Sequence, residues 1–305
     1  MRSFCIKDET APLESVIVGT ATSNGRTPKI KEAYDPKSLE HLKAGTYPIE
    51  ADMIREIEGL AATLQELGVT VYRPQIIEDL NQIFTRDIGF VIDDYFVRSN
   101  ILPDREDEVR AIQHILDGFN PAKTITPPEA VHVEGGDIMP WKEYLFVGTY
   151  LREDYKNYIT ARTNKAAIDW LSEIFPNRKV KAFELRKSNT DPYSNALHLD
   201  CCFQPVGTGL AIIHPEGFLN PSDPQWLIDY FGQENVFTID ASEMYAMTSN
   251  IFSVSPKLII SDIRFTRLNN WLQSKGVSVK AIEYGEIAKQ EGLLRCSTLP
   301  LKRTY

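Results

Sequence analysis

One recurring unit constrains this 305-residue chain more than any other feature: a short apolar strand, a tight turn, a second apolar strand, a helix, then a further strand. Repetition of this kind dictates architecture before any single motif does. Hairpin signals run from Phe90 to Val97, Asp137 to Val147, Cys202 to Ile213 and Ile251 to Ile260, each with β-rich arms around Asp, Gly, Pro or Lys. Helical patterns follow. Between 162 and 175, Ala166, Ile168, Trp170, Leu171 and Phe175 approximate a buried stripe. The segments 53–67 and 265–273 read the same way, and each ends near a glycine, Gly68 or Gly276, that leads into alternating residues of a strand. With a first unit beginning at Val16-Ile17-Val18, five units are expected. The reading is one α/β domain over residues 1–305, ring-like, with a central site.

Five polar residues, carried by four motifs, interrupt this apolar framework. They are Asp87 in Phe84-Thr85-Arg86-Asp87, Glu134 in Glu134-Gly135-Gly136-Asp137, His198 and Asp200 in His198-Leu199-Asp200, and Cys296 near the end of the chain. They stand at or just before the starts of hairpin strands, where a closed ring would bring distant positions together. A thiol, an imidazole and three carboxylates suit a cationic, planar substrate. A guanidinium is a poor electrophile because its charge is spread over three nitrogens, so attack on its carbon needs a strong nucleophile, and thiolate is the strongest among side chains. Two carboxylates, Asp87 and Asp200, can accept paired N–H bonds from the guanidinium fork and fix its plane. His198 can protonate a departing amine and deprotonate the incoming nucleophile. Glu134 can hold the imidazole, and a cationic substrate would itself favour the thiolate.

Charge and cysteine usage narrow the remaining classes. A formal charge of -9 and pI near 5.2 disfavour a nucleic-acid partner. Four cysteines, Cys5, Cys201, Cys202 and Cys296, are too few and irregular for a disulfide scaffold, which points to a reducing compartment. The first residues carry charges where a signal peptide needs an apolar run, and no stretch approaches about 18 apolar residues. The expectation is a cytoplasmic protein with no membrane partner. Metal-ligand spacing is missing, so neither a metal nor another cofactor is expected. Assembly into a homo-oligomer is left open. Cys201 and Cys202 lie in a strand pattern and read as packing. His41, His114, His132 and His214 read as surface or structural residues.

These motifs, in this order, resemble the guanidine-modifying enzymes, which include arginine deiminases, dimethylarginine dimethylaminohydrolases and arginine:glycine amidinotransferases. The resemblance covers nearly the whole chain and implies a fivefold α/β propeller of ββαβ units. It implies Cys296, in Arg295-Cys296-Ser297-Thr298-Leu299-Pro300, as nucleophile, with His198 as general acid/base and Glu134 as catalytic carboxylate. It implies Asp87 and Asp200 as the guanidinium clamps. Arg162, in Ala161-Arg162-Thr163-Asn164, is similar to a carboxylate-binding arginine of the dimethylaminohydrolases. Arg105, 18 residues after Asp87, is similar in spacing to one in the deiminases, and Asn250 resembles a site-lining asparagine. Two departures stand out. Only Gly292 precedes the nucleophile where the family has several glycines, and residues 152–159 look like an insertion, either a lid or a lengthened hairpin.

The resulting expectation is an enzyme acting on arginine or a close guanidino relative through a covalent S-amidino intermediate. Hydrolysis to a ureido product such as citrulline is the first reading, on the deiminase-like tail and the Arg-Thr-Asn tripeptide. Transfer to an amine is the alternative, because residues 43–52 and the helix after them look more like the amidinotransferases. A non-catalytic propeller used as a binding module is a third reading, which has no need of Cys296, His198 and Glu134 together.

Overall fold

A computed structural model describes residues 1–305. Its strands form five three-stranded sheets. The chain opens with β1 (Leu13–Val18) and β2 (Thr70–Tyr72). Four complete units follow: β3 (Gly89–Ile92), β4 (Tyr95–Arg98) and β5 (Thr124–Ile125), then β6 (Ile138–Trp141), β7 (Tyr144–Thr149) and β8 (Lys179–Glu184). The last two are β9 (Phe203–Val206), β10 (Leu210–Ile213) and β11 (Val236–Thr238), then β12 (Phe252–Ser255), β13 (Leu258–Asp262) and β14 (Ser278–Ile282). The final strand, β15 (Thr298–Arg303), returns to lie beside β1. Every sheet has the same grammar, an antiparallel hairpin whose second strand also pairs in parallel with a third.

All four expected hairpins form. Asp93 and Lys142 take left-handed backbone conformations, φ +54° and +50°, in two of the three two-residue turns, a geometry that a short polar residue such as Asp93 tolerates best. Burial explains why the first strands read as apolar runs rather than as alternating patterns. Strands β3, β6 and β9 are buried at every position, whereas the outer strands β2, β8 and β14 are largely half-exposed or exposed. Each first strand is also a sheet edge with an unpaired side, and this is where Pro140, Pro205 and Pro300 sit. A proline lacks the N–H for a ladder and is tolerated only at such edges.

The helices are α1 (Pro36–Ala44), α2 (Glu50–Glu66), two short ones α3 (Glu106–Arg110) and α4 (Gln113–Leu116), α5 (Lys165–Ile174), α6 (Ser222–Phe231), α7 (Ala241–Tyr245) and α8 (Thr266–Ser274). The Asp35 side chain accepts the Ser38 N–H at 2.6 Å and starts α1, and Gly45 at φ +68° ends it. The structure differs from the sequence reading in three places. The first unit does not begin at Val16, because its first strand is β15, so the two chain ends are joined in one sheet. The second unit has only short helical turns before β5, since 99–123 lacks a sustained apolar stripe. Arg162 is not in a helix. Asn164 caps α5 by accepting the Ala167 N–H at 3.1 Å, and this leaves Arg162 in the preceding loop.

Candidate active site

Each first strand is entered from a loop that carries one of the expected polar residues: Asp87 before β3, Glu134 before β6, His198 and Asp200 before β9, Asn250 before β12, and Cys296 before β15. These loops are bonded in a closed circuit. The Arg86 N–H donates to Cys296 O at 2.9 Å, Gly135 N–H to Asp87 O at 3.4 Å, and Leu199 N–H to the Asp137 carboxylate at 2.9 Å. Ser249 Oγ donates to Asp200 O at 2.8 Å, and Arg295 N–H to Asn250 O at 3.2 Å, which completes the turn. Residues as far apart in sequence as Arg86 and Cys296 are thereby held within bonding distance.

The two glycines of the Glu134 loop have a steric cause. A Cβ on Gly135 would lie 2.1 Å from Arg86 O, and one on Gly136 would lie 2.6 Å from His198 Cγ. The loop backbone therefore runs directly against the imidazole. His198 Nε2 is 2.7 Å from Glu134 Oε2, and Nδ1 is 3.8 Å from Asp87 Oδ1. Burial alone would strip His198 of its proton, but Asp87, Glu134 and Asp137 outweigh it and raise its pKa. Burial pushes the opposite way on Glu134, yet Arg162, with help from His198 and Arg105, holds that carboxyl well below the usual range. Both shifts favour the charged forms of the pair.

Cys296 is buried at the same centre. Asn250 brackets it, donating from Nδ2 to Sγ at 3.2 Å and accepting the Cys296 N–H on Oδ1 at 3.1 Å. Asp200 Oδ2 lies 3.7 Å from Sγ. Burial, then Asp200 and Asp87, push the thiol pKa well up, against a smaller opposing effect of Asn250. Beneath the thiol, Arg295 donates from Nη1 to Asp200 Oδ2 at 2.8 Å and from Nε and Nη2 to Glu9 at 3.1 and 3.2 Å. Its remaining donors reach Gly136 O and Ile138 O. Arg295, Glu9 and Glu108 are residues that sequence reasoning missed. Arg295 carried a signal, since it adjoins Cys296 in the tail motif, but Glu9 carried none.

Arg105 and Arg162 both reach the pocket, with donors already engaged. Arg105 Nη1 donates to Asp87 Oδ2 at 2.9 Å, while Nε and Nη2 donate to Glu108 at 2.7 and 2.8 Å. Arg162 Nη1 donates to both Glu134 oxygens at 3.1 and 3.2 Å, Nε to Ile159 O at 2.7 Å and Nη2 to Tyr34 O at 2.9 Å. The 152–159 segment thus borders the site, and it is tied down where His132 meets Asp154 at 2.8 Å. Asp87, Glu134, His198, Cys296, Arg105 and Arg162 all line or adjoin a cavity of about 120 Å³, whose outer wall includes Tyr34, Tyr47 and Phe84. Asp87, Glu134 and His198 also lie close enough to one another to hold a metal ion, but their lone pairs face two buried arginines and each other. No helix is long and apolar enough to cross a membrane.

No protein-family model matches the chain. Among curated proteins it is 25% identical to inosamine-phosphate amidinotransferase 1 of Streptomyces griseus, over 100% of this chain and 98% of that protein. It is 28% identical to the uncharacterised YkgA of Bacillus subtilis over 73% of this chain and 70% of that one. It is 24% identical to an arginine deiminase of Listeria monocytogenes over 73% of this chain, and spans 61% of that longer enzyme. The solved amidinotransferase StrB1 of S. griseus superposes with a TM-score of 0.75 at 20% identity, covering 100% of this chain and 98% of that one. The N-terminal domain of cyanobacterial ArgZ, an arginine dihydrolase, does so at 0.76 and 17%, covering 95% of this chain and 97% of that domain. The chain is thus similar to amidinotransferases and arginine deiminases, and it shares the fold of the solved amidinotransferase and dihydrolase.

Proposed function

We propose that this protein cleaves a C–N bond of the guanidino group of arginine or a close relative through a covalent S-amidino intermediate on Cys296. The observation that carries the reading is the thiol of Cys296 at 3.7 Å from Asp200, in one buried cavity with Asp87 and an imidazole paired to Glu134. Asp87 and Asp200 clamp the guanidinium. Its positive charge offsets the two carboxylates that raise the thiol pKa, so the nucleophile forms as substrate arrives. The thiol's proton passes to solvent as the cation binds, sulfur bonds to the guanidinium carbon, and His198 gives its own proton to the departing nitrogen, which leaves the imidazole neutral for the second half-reaction. A neutral amine leaves and the S-amidino cation remains. The resolving nucleophile then attacks the same carbon, His198 takes its proton, and the C–S bond breaks.

Water as that nucleophile gives a ureido product, the hydrolase reading, which the arginine deiminases among the relatives support. A second reading, transfer to an amine, is supported by the end-to-end likeness to an amidinotransferase and by the place of Tyr47 from the amidinotransferase-like segment in the pocket wall. We also propose one domain over residues 1–305, with the five sheets as propeller blades. The closed circuit of loop hydrogen bonds supports this. For Arg105 and Arg162 to bind a substrate carboxylate, as the resemblance implies, they must share the partners they already hold.

The test is to incubate the purified protein with arginine, with and without glycine or another amine, and to identify products by mass. Citrulline and ammonia without an acceptor are expected. Ornithine and a new guanidino compound, appearing only with an acceptor, establish transfer instead. No turnover of arginine or of methylated arginines overturns the proposal. The thiol provides a second expectation. Because its pKa lies above the ordinary value of about 8.5, inactivation by iodoacetamide should be slow near neutrality and still rising at about pH 9. A plateau below about pH 8 would show a thiol activated before substrate binds.

A further inference from the structure

We propose that each guanidinium-facing carboxylate is held by its own arginine–glutamate strut, Arg105–Glu108 behind Asp87 and Arg295–Glu9 behind Asp200, and that Glu9 and Glu108 are positioning residues for the substrate cation. The inference rests on the guanidino reading above and assigns to that site two residues that neither the motifs nor the relatives supply.

The two struts have one geometry. In each, the Nε/Nη2 edge of the arginine is taken by both oxygens of a glutamate, at 2.7 and 2.8 Å for Glu108 and at 3.1 and 3.2 Å for Glu9. In each, the remaining Nη1 reaches one oxygen of the clamp, Asp87 Oδ2 at 2.9 Å or Asp200 Oδ2 at 2.8 Å. The other oxygen of each clamp is left over. Asp87 Oδ1 is buried without a hydrogen-bond partner, and Asp200 Oδ1 has only the Cys201 thiol at 3.9 Å. All six side chains are buried. The two assemblies come from unrelated stretches of sequence: Glu108 is three residues from Arg105, whereas Glu9 is 286 residues from Arg295.

Charge explains why a bare aspartate–arginine pair would not serve. Such a pair is neutral, and its arginine would compete with an incoming guanidinium for the same carboxylate. A glutamate on the far edge satisfies the arginine, returns each strut to a net charge of minus one, and leaves the clamp's negative charge for the substrate. The planar fork also fixes the carboxylate's rotamer, since one edge is locked bidentately while the end nitrogen is aimed at the clamp. In this arrangement Arg105 supports Asp87 and is not a free anchor for a substrate carboxylate.

The experiment uses Cys296→Ser protein, which binds without turning over, and measures methylguanidine and arginine affinity by calorimetry. Glu9→Gln and Glu108→Gln keep size and one acceptor but remove the charge, and each should weaken methylguanidine binding by about 10-fold or more. Glu9→Asp and Glu108→Asp, which keep the charge, should recover most of it, a rescue that a merely structural role does not produce. Thermal unfolding run in parallel identifies any variant that fails to fold. If Glu9→Gln is lost that way, Glu108→Gln, on the strut made within one short stretch of chain, decides alone. Methylguanidine affinity equal to that of the Cys296→Ser parent in a folded Glu108→Gln protein overturns the proposal. A parent that binds neither ligand overturns the guanidino reading instead.

Discussion

Cys296→Ala is expected to lose guanidine turnover by at least ~10⁴-fold while unfolding at nearly the wild-type temperature, because the substitution removes the only group proposed to bond to the substrate. The thiol makes few contacts that the fold needs. Asn250 is its bracketing partner, and the backbone bond from the Cys296 N–H to Asn250 Oδ1 survives the change. Steady-state rates on the substrate found by product analysis, with a thermal melt alongside, measure both quantities. In the wild type, acid quenching during turnover followed by peptide mass analysis should find the amidino adduct on the peptide bearing Cys296. Retained turnover in the alanine variant would transfer the chemistry to another group and leave Cys296 a packing residue, the role buried cysteines commonly have.

Arg295→Met is expected to destabilise the fold by about 3–5 kcal/mol. The arginine is fully buried and answers two buried carboxylates, Glu9 and Asp200, so its loss leaves two uncompensated charges. It also donates to Gly136 O and Ile138 O, which tie the Cys296 loop to the Glu134 loop. Burial would lower the arginine's pKa, but Glu9 and Asp200 together raise it above its ordinary value, so it stays charged at any working pH. Urea denaturation should show a midpoint lowered by ~1 M or more, taking a slope of roughly 3 kcal/mol/M. Adding Glu9→Gln to Arg295→Met should restore part of that loss by removing one orphaned charge. A single variant as stable as the wild type would mean that water reaches the cluster and solvates it.

Much of the site was legible in the sequence because its residues lie in short, local motifs. Glu134 is marked by two glycines that make room for Arg86 O and the His198 ring, so the pattern records a packing requirement as well as a chemical one. His198 and Asp200 are two positions apart at the entry to one strand, and Cys296 is two positions before another. What was not legible depends on partners distant in sequence. Glu9 has no motif, and its link to Arg295 spans nearly the entire chain. Arg105 and Arg162 stand at the pocket, yet their pairing with Asp87, Glu108 and Glu134 depends on side-chain directions that spacing does not specify.

The same division holds for the fold. Hairpins are local objects, set by β-rich arms and a turn of two or three residues, so the sequence alone determined four of the five and the repeating unit they belong to. It also determined which residue types would stand at the strand entrances. The first sheet was beyond it, because β15 and β1 pair across the two ends of the chain and no local signal encodes that register, Val18 opposite Thr298. Only the tertiary structure decided this closure, the circuit of loop hydrogen bonds, and which arginine faces which carboxylate. Each is a long-range contact whose formation depends on the whole set of units having packed, and pairwise burial of charge becomes specific only once that packing has excluded water.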